Sequence, residues 1–154
     1  MSSPGSHGVR TEVRTFADLD TATAYSVWRL RQEVFVVEQD CAYPDLDGRD
    51  PEPGTRHVLL HAPAEGEVLL GYLRVLDDGD HARIGRVVLT RSARGRGLAD
   101  ALMRAGLAQV GARACVLDAQ SPLAGWYATH GFVVTGPEFL EDGIPHLPLT
   151  RPAS

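Results

Sequence analysis

The stretch Val87-Val88-Leu89-Thr90-Arg91-Ser92-Ala93-Arg94-Gly95-Arg96-Gly97-Leu98-Ala99 decides the reading of this chain. An apolar run ends, a basic and glycine-rich turn follows, and a long helical pattern begins. That is a strand, a loop and a helix N-terminus. Such a corner offers unpaired backbone N–H groups and the positive end of a helix dipole, both of which favour a phosphate or pyrophosphate. Gly95 and Gly97 leave room for a ligand at the backbone. Arg91, Arg94 and Arg96 place positive charge beside it.

Two common phosphate loops do not fit. A Walker A loop ends in Gly-Lys-Ser/Thr, and every basic Lys/Arg position here is arginine. A dinucleotide fingerprint needs a third Gly or Ala where this chain has Asp100. With a net charge of −5, broad nucleic-acid binding is disfavoured, so the arginine cluster calls for a local anionic partner. Cys41 and Cys115 lie far apart, and no Cys/His spacing reads as a metal site. Cys115, inside Ala114-Cys115-Val116-Leu117, reads as a buried small hydrophobe.

At 154 residues the chain reads as a short polar tail, 1–8, and a single domain, 9–154. The tail lacks the apolar segment of a secretory signal, and runs such as Val68-Leu69-Leu70-Gly71-Tyr72-Leu73 are too short to cross a bilayer. A cytoplasmic protein is expected.

The periodicity predicts a strand over 9–16 and a helix to about Phe35, started at Thr15 or Asp20. A long Asp/Pro/Gly-rich loop follows over 40–54, the kind of segment that is often functional. Strands are expected over 56–62, 68–76 and 82–89, then a well-buried helix over 97–110 stopped by Gly111. A short strand over 114–118, a helix capped by Ser121 with Pro122 at its first position, and strands over 132–135 and 144–149 complete the order β-α-β-β-β-α-β-α-β-β. This implies an α/β (α+β) architecture, a mixed sheet flanked by helices.

The segment Arg94-x-x-Gly97-x-Ala99, in that context, resembles the cofactor motif of the GNAT N-acyltransferases. The element order resembles the GNAT fold over nearly the whole chain. Tyr127-Ala128-Thr129-His130-Gly131-Phe132 resembles the family's Tyr-x-x-x-Gly-Phe segment. The finer pattern resembles the ElaA-type subgroup. It lies in Leu30-Arg31-Gln32-Glu33-Val34-Phe35-Val36-Val37-Glu38-Gln39, in the loop from Tyr43 to Asp50, in His57 and in the tail from Phe139 to His146.

The resemblance implies a sheet whose central strands splay apart, with an acyl thioester in the gap and acetyl-CoA as acyl donor. Backbone groups of Val87, Val88 and Leu89 would bond the pantetheine arm. Arg94, Gly95, Arg96, Gly97, Leu98 and Ala99 would hold the pyrophosphate, and Gln120 would reach the cofactor arm. Arg91 stands where the family usually has proline. Tyr127 would be the general acid toward the departing thiolate, since a phenol stays protonated where a thiol does not. No metal is implied.

The acceptor would be an amine of a small molecule or peptide, with no nucleic acid, no membrane, and a homodimer left open. Ile84-Gly85-Arg86 carries no glutamate, so the general base must come from elsewhere or act through water. Glu38, His57, Asp142 and His146 are the candidates, and His146 could serve directly because imidazole titrates nearest neutral pH. Asp47, His57 and Asp142 are expected on the acceptor side, where carboxylates suit a cationic amine. Each has a plainer reading: Glu38 as an arginine's ion-pair partner, His57 as a strand cap, Asp142-Gly143 as a turn. The Arg31-Gln32-Glu33-Val34-Phe35-Val36 segment also resembles acyl-homoserine-lactone synthases, which use longer acyl donors. A non-catalytic acyl-CoA sensor is the third reading.

Overall fold

The computed structural model describes residues 8–154; except for Gly8, the tail reading lies outside them. Strand β1 (Arg10–Arg14) leads to a 3-10 turn over Phe16–Asp18 and helix α1 (Thr21–Arg31). Both expected start signals are used. Thr15 accepts from the Asp18 amide at 3.3 Å, and Asp20 caps α1 by accepting from the Thr23 amide at 2.7 Å.

The helix then changes character. Gln32–Glu38 is π-helical, a wider winding than the continuous α-helix the periodicity predicts. Strands β2 (Arg56–Ala62), β3 (Val68–Asp77) and β4 (His81–Leu89) follow, then α2 (Leu98–Val110), β5 (Ala114–Gln120) and α3 (Ala124–Ala128). Ser121 does not cap α3. It begins a 3-10 turn, and its hydroxyl donates to Glu138 at 2.7 Å. The chain closes with β6 (Val133–Val134), β7 (Phe139–Glu141) and β8 (Ile144–Arg151).

The sequence reading missed β7, although its signal is present. Glu141 pairs with Ile144 around the two-residue turn Asp142-Gly143, both at positive φ (51° and 80°). An Asp-Gly pair at such angles is a type I′ hairpin.

The strands form one sheet in the order β1-β2-β3-β4-β5-β8-β6, with β7 beside β8. Every pairing is antiparallel except β4–β5. That parallel pair is short, joining only His81–Arg83 to Ala114–Val116, after which the two strands part.

β4 also carries a bulge. Tyr72 opposes Val88 and Arg74 opposes Gly85, so β4 has one residue more than β3, and Arg86 sits at φ 54°. The bulge reverses which way the strand faces. Ile84 points with Leu73, Leu102 and Met103 into the core under α2. Val88 points with Leu59 and Tyr72 into a second core under α1, against Val27, Leu30 and Val34. With both faces covered, β2 and β3 read as near-continuous apolar runs. Gly106 lets α2 lie close to the sheet, since a Cβ there would come within 2.9 Å of Leu73.

Candidate active site

Where β4 and β5 part, a cleft of about 540 Å³ opens. Its walls include Val87, Val88 and Leu89 from β4, Gln120 from β5, Tyr127 from α3 and His146 from β8. Glu38 and Gln39 come from the π-helical end, Asp47 from the long loop, Asp142 from the hairpin turn and Arg94 from the glycine loop. Residues scattered over more than a hundred positions therefore meet in one place.

The glycine loop forms one end. Arg91–Ala93 is a 3-10 turn, and Gly95 and Gly97 take φ 74° and 72°. A side chain would be strained at either position, and nothing lies within 4 Å of where its Cβ would stand. Gly97 is the N-cap of α2 and has no side chain to cap with, so the first-turn amides keep no side-chain partner. Leu98 turns its side chain into the core and leaves only its backbone for a ligand. Such a cradle fits a pyrophosphate.

Arg94 does not wait free beside that cradle. Glu38 holds it, and Arg91 donates to the same carboxylate at 3.2 Å. The Arg94 hydrogen bonds keep Glu38 below its ordinary carboxylate value. Glu38 is thus a weakened base engaged in an ion pair, the plainer of the two roles considered for it. Gln120 donates to Gln39 at 3.3 Å, tying β5 to the end of the π-helical segment.

Tyr127 is 6 % exposed, packed edge-on to Phe132 and Trp126. Burial alone pushes its phenol up to about 12, with no hydrogen bond contributing. A group so placed stays protonated and keeps its O–H for whatever enters the cleft.

His146 stacks on Phe139 across the β7–β8 pair and is 9 % exposed. Its Nδ1 lies 2.7 Å from the Ile144 carbonyl. A carbonyl only accepts, so Nδ1 carries the proton, and in the neutral ring Nε2 keeps a lone pair. Glu141 Oε2 lies 3.7 Å from that Nε2.

Beneath the long loop lies a set of charges that the sequence reading did not assemble. Arg31, fully buried, donates to Asp45 at 2.9 Å and Asp50 at 2.7 Å. Arg74 donates to Asp47 at 2.5 Å and Asp50 at 3.1 Å. Arg86 pairs with Asp45 at 2.9 Å and lies over the Tyr43 ring, whose hydroxyl donates to Asp45 at 2.5 Å. Three arginines and three aspartates thus fix a loop rich in proline and glycine. The signal was in the sequence: Arg74 stands inside the apolar strand Val68–Asp77, and a charge there needs buried partners.

Two expectations change as a result. Asp47 lines the cleft, but Arg74 and Arg86 neutralise its carboxylate, and the Arg74 hydrogen bonds hold it well below the usual carboxylate range. His57 is 0 % exposed, so it cannot touch a substrate. Its Nδ1 meets the Tyr72 hydroxyl at 2.6 Å and its Nε2 the Asp50 carbonyl at 3.0 Å. Burial holds its imidazole below the ordinary value. Asp118 also lines the cleft but pairs with Arg83 at 3.5 Å, so the acidity facing the cleft comes instead from Glu141 and Asp142.

Residues 34–151 match the acetyltransferase (GNAT) domain family. The chain belongs to that family. It is 50% identical over 143 residues to the UPF0039 protein Rv2851c of Mycobacterium tuberculosis, with 89% of each chain covered. Among solved structures, it superposes on an acyl-CoA N-acyltransferase from Pseudomonas aeruginosa with a TM-score of 0.86 at 37% identity, covering 93% of this chain and 99% of that one. Escherichia coli ElaA superposes with a TM-score of 0.85 at 31% identity over the same shares. Fold and family are therefore those that the glycine loop and the Tyr-x-x-x-Gly-Phe segment implied. The family acts on acyl-CoA.

Proposed function

We propose that this chain is an acetyl-CoA-dependent N-acetyltransferase in which the acceptor amine attacks the thioester directly. One observation carries the reading: a protonated phenol at Tyr127 and an imidazole with a free Nε2 at His146 line the same cleft, beside parted strands and an uncapped helix N-terminus. Gly95 to Ala99 offer backbone amides to the pyrophosphate, and Arg94 supplies charge. Backbone groups of Val87, Val88 and Leu89 line the path of the pantetheine arm.

His146 Nε2 takes the proton from the ammonium, and the second N–H proton, lost as the nitrogen bonds to carbon, passes through solvent to the Tyr127 phenolate. The nitrogen forms a bond to the thioester carbonyl carbon, and the carbon–sulfur bond breaks. Tyr127 gives its proton to the departing sulfur. The cleft carboxylates of Glu141 and Asp142 favour a cationic amine of a small molecule or peptide.

Thiol release from acetyl-CoA across amines, polyamines and peptides tests the proposal. Turnover that requires an amine and yields the acetylated amine supports it. Faster turnover with longer acyl donors favours the lactone-synthase-like alternative. CoA binding without turnover on any acceptor favours a sensor.

A further inference from the structure

The short helix that carries Tyr127 has no means of holding itself in place. α3 spans only Ala124–Ala128, and Leu123 offers no side-chain cap. A helix of this length is not stable by its own hydrogen bonds. Something outside it must set where the phenol points.

Asp100 supplies that support. It sits in the first turn of α2, the helix whose N-terminus faces the glycine loop. Its Oδ1 accepts from Trp126 Nε1 at 3.0 Å and from His130 Nε2 at 2.8 Å. One carboxylate oxygen thus grips the residue just before Tyr127 and the residue three after it. Trp126 lies edge-on to both rings, 4.9 Å from Tyr127 and 5.0 Å from His130 between centroids. A further tie from β8, Arg151 Nε to the His130 carbonyl at 3.1 Å, holds the segment's backbone but touches neither side chain.

From this geometry we infer that Asp100 is a positioning residue: it locks the Tyr127 helix to the helix that receives the cofactor's pyrophosphate, so that binding at one end fixes the acid at the other. The inference rests on the proposed role of Tyr127. A first-turn acid has a simpler use, stabilising the helix dipole. That use would not require the carboxylate to reach two donors on another helix. An oxygen that only accepts is sufficient for the clamp, so asparagine can replace aspartate here.

The test needs no acceptor. The tyrosines are labelled with 13C at Cζ, and the Tyr127 signal is identified by its absence in Tyr127→Phe. CoA is then titrated to saturation while calorimetry reads its affinity. In the native chain and in Asp100→Asn, CoA should shift the Tyr127 signal. In Asp100→Ala the shift should be lost, with CoA affinity changed less than about twofold. If Asp100→Ala does not fold, Trp126→Phe combined with His130→Leu removes the same two donors from the other side. A full shift in the clamp-less variant overturns the inference, and so does loss of the shift in Asp100→Asn. CoA binding with no shift in the native chain overturns the role of Tyr127, and no CoA binding overturns the cofactor assignment. Either of these takes the inference with it, by a result distinct from its own failure.

Discussion

Glu38 holds Arg94 with both carboxylate oxygens, Oε2 accepting from Nη1 at 2.7 Å and Oε1 from Nη2 at 3.1 Å. The same guanidinium reaches the Leu89 carbonyl through Nη2 at 3.3 Å. The π-helical segment and the glycine loop are thus joined across one end of the cleft by the residue expected to meet a pyrophosphate. A phosphate must compete with Glu38 for it.

Glu38→Gln should therefore tighten CoA binding rather than weaken it. The pair is exposed to solvent, so the gain is modest, about fivefold in Kd, and shrinks as salt is added. Calorimetric titration at two ionic strengths measures both. A weakened Kd would mean that Glu38 holds Arg94 in its binding position.

Tyr127→Phe removes a hydroxyl and leaves the ring packed against Trp126 and Phe132. General acid catalysis contributes about a hundred- to ten-thousandfold, and a thiolate leaves more readily than an amine. A fall in kcat of about a hundredfold is expected, with little change in the KM for acetyl-CoA. Wild-type turnover, with chemistry shown to be rate-limiting, would make the tyrosine a packing residue.

His146→Gln keeps a polar side chain but has no lone pair basic enough to take the proton. At neutral pH kcat/KM should fall by about a hundredfold or more. Activity should recover as pH rises, because the fraction of amine already deprotonated grows tenfold per unit below its own pKa. A pH–rate profile parallel to that of the native enzyme would assign the base elsewhere.

Arg31 is surrounded by Asp45 and Asp50 with no exposed surface, and its guanidinium lies 5.0 Å from the Trp28 ring centroid. Arg31→Ala removes one of the two arginines that each of these carboxylates pairs with, leaving Arg86 on Asp45 and Arg74 on Asp50, and opens a buried space, which together cost about 3 kcal/mol. Urea denaturation should read that loss.

Acid should act on the same network through Asp47. Its folded value is depressed by Arg74, so its contribution is present above the unfolded carboxylate value of about 4 and fades as pH falls below it. Stability followed by urea midpoints should decline below about pH 4, and Asp47→Asn should flatten that decline while lowering stability at neutral pH.

The sequence makes the parts of this molecule legible where one residue type has one local meaning. Gly97 before an apolar helical period marks the start of α2, and Asp20 marks the start of α1. Tyr127 is legible as an acid only by its spacing to Gly131-Phe132, a resemblance rather than a derivation. The π-helical stretch at Gln32–Glu38 was missed because Val34, Phe35, Val36 and Val37 carry no turn signal. Within it Val34 packs against Leu59 and Tyr72. The aspartates of the long loop were read as a surface for cations because the arginines that claim them lie on α1, β3 and β4, far away in sequence.

The parting of β4 from β5 bears on how wide a range of acyl donors a chain of this design can take. No ladder hydrogen bond joins Ile84–Leu89 to Leu117–Gln120. No backbone pairing crosses the gap, and the two segments are held from their outer edges, by β3 on one side and β8 on the other. Val87, Leu117, Ala119 and Phe35 line it. An acyl chain entering this gap would meet those four side chains, so substitutions there should change which donor lengths turn over, as rates with acyl-CoAs of increasing length would read.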